Sequence, residues 1–75
     1  MSESIPQKAV REAWERMNAA DRAALMEKIN FITTQEEQML HHLEKGMTAE
    51  AEHEAATIER ATKAVLSMIR HALEG

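Results

Sequence analysis

The stretch LMEKINFITTQEEQMLHHL, residues 25–43, decides the fold. Leu25, Ile29, Ile32, Glu36, Met39 and Leu43 follow one another at intervals of four, three, four, three and four, the spacing of one helical face. One of those six is an acid. Glu36 lies near the middle of an otherwise aliphatic stripe, so this helix carries a charge where a core is expected. Within the stretch, Phe31-Ile32-Thr33-Thr34 brings β-branched residues that weaken a helix, and Thr34 with Glu37 is spaced to cap a new one. The apolar phase runs through without slipping and no Gly or Pro interrupts it, so one continuous helix is expected.

Working outward, the helix is expected over residues 19–45. Asn18 is a capping residue with Asp21 three positions on, and Gly46 can take the left-handed conformation that ends a helix without a Cβ clash. His41, His42 and Lys45 suit its negative end. Ahead of it, Ser4 with Gln7 makes a capping box and Pro6 sits in a first turn, so a short helix is expected over residues 5–17. Its apolar side is Val10, Ala13, Trp14 and Met17, and Glu12 and Arg16 stand at the i,i+4 spacing of an ion pair. A third helix is expected over residues 49–74, capped by Thr48, with Glu50, Glu52 and Glu54 in its first turns and Arg70 and His71 in its last. Its stripe is Ala51, Ala55, Ile58, Thr62, Val65, Ile69 and Ala72.

The two long stripes match as an antiparallel pair. With a turn centred on Met47, residue numbers at one level sum to 94, and Leu25, Ile29, Ile32, Glu36, Met39 and Leu43 meet Ile69, Val65, Thr62, Ile58, Ala55 and Ala51. The expected fold is therefore all-α: a short N-terminal helix and a long antiparallel helical hairpin, one helical domain over residues 1–75. A bare hairpin leaves much of its stripe in water. The short first helix can cover only part of it, so a homodimer forming a helical bundle is the expected remedy.

Composition narrows the function. The 75 residues include no cysteine, 44% are apolar and 29% charged, and the formal net charge is −4. No disulfide, cysteine zinc site or thiol nucleophile is possible. The acidic balance disfavours nucleic acid and favours a protein partner. No apolar run approaches the roughly 18 residues of a membrane span, and Met1 to Gln7 lacks the basic start and apolar core of a signal peptide, so no membrane and a cytoplasmic setting are expected. There is no Tyr, serine is confined to Ser2, Ser4 and Ser67, and no Gly-rich loop cradles phosphate. A non-enzyme without cofactor is expected.

Three features compete to carry function. Four histidines, and the E-x-x-H spacing of Glu50 and His53, suggest a metal-binding helical oligomer. The helical phases of His41, His42, His53 and His71 direct all four away from the stripes, so no metal ligand is assigned. The first two helices resemble a helix-turn-helix in outline, but Asp21 and Glu27 offset Arg22 and Lys28 on the would-be reading helix, leaving a DNA-binding repressor a weak alternative. Trp14, Met17, Met26 and Phe31 are large apolar residues the hairpin stripe does not use, and such residues favour protein interfaces. The reading reached is a small regulatory or adaptor protein that binds another protein, for example an antiactivator or inhibitor masking a regulator. Glu36 then either snorkels to water, fixes the register of an assembly with Thr62 nearby, or awaits a basic group on a partner.

Overall fold

The computed structural model describes residues 7–75. It holds three helices, α1 (Gln7–Arg16), α2 (Ala19–Glu44) and α3 (Thr48–Glu74), and no strand among the described residues. α2 and α3 form the hairpin, and α1 packs against α3. The expected Ser4 cap and the first residues of the first helix lie outside the described residues.

Capping chemistry sets the limits of the long helices. Asn18 is extended (φ −80°, ψ 175°) and its Oδ1 accepts from the Asp21 N–H at 2.8 Å, which breaks the chain between α1 and α2 as its sequence suggests. α2 runs unbroken through Thr33 and Thr34, whose hydroxyls donate to the carbonyls of Ile29 and Asn30 at 3.1 Å. Those bonds satisfy the hydroxyls within the helix. α2 ends in a Schellman turn: Met47 N–H donates to His42 O at 2.8 Å and Gly46 N–H to Leu43 O at 3.1 Å. Gly46 sits at φ 74° with open space around its Cα. Gly46→Ala would therefore meet no clash and pay only for the left-handed backbone, about 1 kcal/mol. Chemical denaturation should read that loss, and an unchanged midpoint would refute it. Thr48 is not the cap expected of it: it is the first helical residue, and Met47 holds the cap position with no side-chain hydrogen bond. The Schellman turn consumes the residues a Thr48 cap would have needed.

The hairpin packs with a different rotation from the one its stripe suggests. On α2 the covered residues are Arg22, Leu25, Ile32, Gln35, Met39 and His42, and on α3 they include Ala51, Glu54, Ile58, Ala61, Val65, Met68 and Ala72. The α3 row advances by threes and fours throughout and the α2 row does so from Ile32 onward, Lys28 and Ile29 both being exposed; this is a 3.5-residue coiled-coil repeat. Leu25, Ile32 and Met39 are common to the expected and observed rows. Between them, Gln35 and His42 replace Glu36 and Leu43, Ile29 is left open, and on α3 Glu54 and Ala61 replace Ala55 and Thr62. Facing Glu36 onto Ile58 would strand a carboxylate on an apolar side chain. Rotation by about half a residue, roughly 50°, puts it in water instead.

Ten residues of α1 are too few to form a stable helix alone. α1 is held by its contacts: Ala13 and Met17 join Leu25 and Ile69 in the buried core, with Trp14, Val65, Met68, Ala72 and Leu73 packed around them. Polar straps reinforce the junction. Arg16 Nη1 donates to Leu73 O at 2.7 Å, and Arg22 Nε donates to Trp14 O at 2.8 Å while its guanidinium lies 5.2 Å from the centre of the Trp14 ring. The Glu12–Arg16 pair is present at 3.8 Å. The core thus sits at the open end of the hairpin, away from the Gly46 turn.

Candidate protein-binding surface

With the hairpin rotated this way, a second row of α2 is left in water. Met26, Ile29, Thr33, Glu36, Leu40 and Leu43 follow at intervals of three and four, and Met47 in the turn comes four residues later. This is another 3.5-residue repeat, one residue out of step with the covered row and so about 100° round the helix. Met26, Ile29, Leu40 and Leu43 are 39–59% exposed, and with Met47 they make five of the seven large hydrophobic side chains exposed among the described residues. Scattered exposed aliphatics are ordinary, but an aligned row of them is a candidate contact surface.

Two polar residues interrupt the row. Glu36 is exposed and has no hydrogen-bond or ion-pair partner among the described residues. Thr33, one turn before it on the same face, donates its hydroxyl to the backbone of its own helix. Glu36 and Thr62, expected one turn apart across the hairpin, are both exposed.

The remaining expected contact residues divide. Met26 and Phe31 are exposed, Phe31 on another side of α2. Trp14 is half-buried beneath Arg22. Met17 is 7% exposed in the core and cannot serve a partner directly, because the docking of α1 encloses it. Of the residues expected in the hairpin or dimer core, Leu25 and Ile69 are buried and Ile32, Met39, Ile58 and Val65 are half-buried, while Ile29, Glu36, Leu43 and Thr62 are exposed.

One histidine turns inward, contrary to its expected phase. His42 faces α3 and its Nδ1 lies 2.8 Å from Oε1 of Glu54, which is only 7% exposed. In this contact the ring N–H donates and the carboxylate accepts. The pair links the last turn of α2 to the first turns of α3, at a level summing to 96 rather than 94. Its signal in the sequence was the 3.5-residue row through Leu25, Ile32 and Met39 continued at three residues rather than four. His41, His53 and His71 are exposed. No group of three or more His, Asp or Glu among the described residues is placed to hold a metal ion. No helix among them is long and apolar enough to cross a membrane.

At the junction of α1 with the ends of α2 and α3 lies a cleft of about 290 Å³, bordered by Arg16, Asp21, Met68 and His71. Arg16 is already committed to Leu73 O, so the cleft presents no free convergent set of polar groups. No known protein family, curated protein or solved structure matches this chain.

Proposed function

We propose that this chain is a small regulatory or adaptor protein, not an enzyme, that acts by protein–protein binding and self-associates as a homodimer. One observation carries the reading: the aligned apolar row on α2 that neither α1 nor α3 covers. An amphipathic face of this kind is what a groove or another helix receives. Fully burying a large aliphatic side chain stabilises by about 1.5–3 kcal/mol, so covering the exposed halves of Met26, Ile29, Leu40 and Leu43 on two copies contributes on the order of 6–12 kcal/mol. Association costs about 4–15 kcal/mol. The balance suits a reversible contact rather than a permanent one, in keeping with a regulator.

The test is a capture experiment paired with sedimentation. Wild type and a Leu40→Glu/Leu43→Glu variant are immobilised and exposed to native lysate, and their masses are measured free in solution. The expected result is that wild type alone forms a higher-mass species or specifically retains a protein. Monomeric wild type that retains no more than the variant would overturn the reading.

A further inference from the structure

We propose that the open row of α2 closes on the same row of a second, antiparallel copy of this chain, in a single register. The inference rests on the protein-binding reading above and specifies the partner. The row is self-complementary. Reversed about the point between Thr34 and Gln35, it brings Met26 against the partner's Leu43, Ile29 against the partner's Leu40, and Thr33 against the partner's Glu36, each pair summing to 69. Apolar therefore meets apolar at both ends, and a hydroxyl meets a carboxylate in the middle. A two-fold axis makes such a contact isologous, so every pairing occurs twice.

The antiparallel sense follows from the acid. A parallel pair would set Glu36 directly on its own copy, and like charges face to face oppose association. The antiparallel pair staggers the two Glu36 side chains by three residues, about 4.5 Å along the axis, and sets each level with a Thr33 hydroxyl, whose proton now rests on the Ile29 carbonyl and can rotate to the partner to offset the charge. Geometry agrees as well. The covered and open rows of α2 lie about 100° apart round the helix, close to the corner angle of a bundle in which each helix packs two neighbours.

Because the chain has no cysteine, introduced thiols report the register directly. Ile29→Cys and Leu40→Cys proteins are oxidised mildly, separately and as an equimolar mixture. The expected result is a strong covalent dimer in the mixture and little in either alone. Position 29 lies eleven residues from position 40, about 16 Å along the helix, too far for 29-to-29 closure in this register. As an independent readout, Leu40→Glu, at an exposed position, should keep its helical circular dichroism and sediment as a monomer. Efficient cross-linking of each variant alone, or a wild-type dimer that cross-links in none of the three samples, overturns the register while leaving self-association standing. Monomeric wild type, whether or not it retains another protein, overturns the second copy as the occupant.

Discussion

Leu25→Ala is expected to destabilise the fold by about 2–5 kcal/mol. Leu25 is one of the few side chains in close contact with all three helices' core, buried beside Ala13, Met17 and Ile69. Truncating it opens a cavity that α1 cannot refill, since α1 is anchored by the same cluster. In urea, at a slope of about 1 kcal/mol/M for so short a chain, the midpoint should fall by about 2 M or more. The neighbouring residue supplies the control. Met26 points to the open row of α2 and is exposed, so Met26→Ala should cost little at low protein concentration and more as concentration rises, as linkage to self-association requires. Equal, concentration-independent losses at the two positions would contradict the assignment of the two rows.

The second large effect concerns the His42–Glu54 pair. His42→Ala leaves the nearly enclosed Glu54 carboxylate without its donor, and about 1–3 kcal/mol should be lost. Replacing both residues with leucine should recover most of that loss, because a buried pair removed whole is far less costly than one broken in half. A double-mutant cycle by chemical denaturation measures the coupling, expected at about 0.5–3 kcal/mol. Additive single losses would show that the contact contributes nothing to stability.

The rotation of the hairpin explains why the sequence led to some of these residues and not others. Leu25, Ile32 and Met39 recur every seven residues, and between them the helix offers two continuations: Ile29, Glu36 and Leu43 at four residues, or Lys28, Gln35 and His42 at three. Hydropathy favours the first. The structure takes the second at Gln35 and His42, while Lys28 and Ile29 are both exposed; this seats His42 on Glu54, keeps the Glu36 charge in water and brings the small Ala61 to the seam. The apolar residues thereby released, Ile29 and Leu43, line up with Met26 and Leu40 as the candidate binding surface. Met26 and Phe31 were legible as exposed because the stripe did not need them. Met17 was not legible as core, because its burial depends on where α1 lands.

Most of what was written in local chemistry was read correctly from it, the Thr48 cap excepted. The Asn18 cap, the Gly46 stop and the unbroken course of α2 each depend on hydrogen bonds spanning no more than about five residues, and the residues that make them are adjacent in the chain. The rotation of α2 against α3, the landing of α1 on Ile69 and the enclosure of Glu54 depend on groups far apart in the chain, such as Arg16 and Leu73. Two faces of α2 with nearly equal claims to burial cannot be ranked by periodicity, since both repeat every 3.5 residues. The choice between them is made by packing, and it leaves one face exposed.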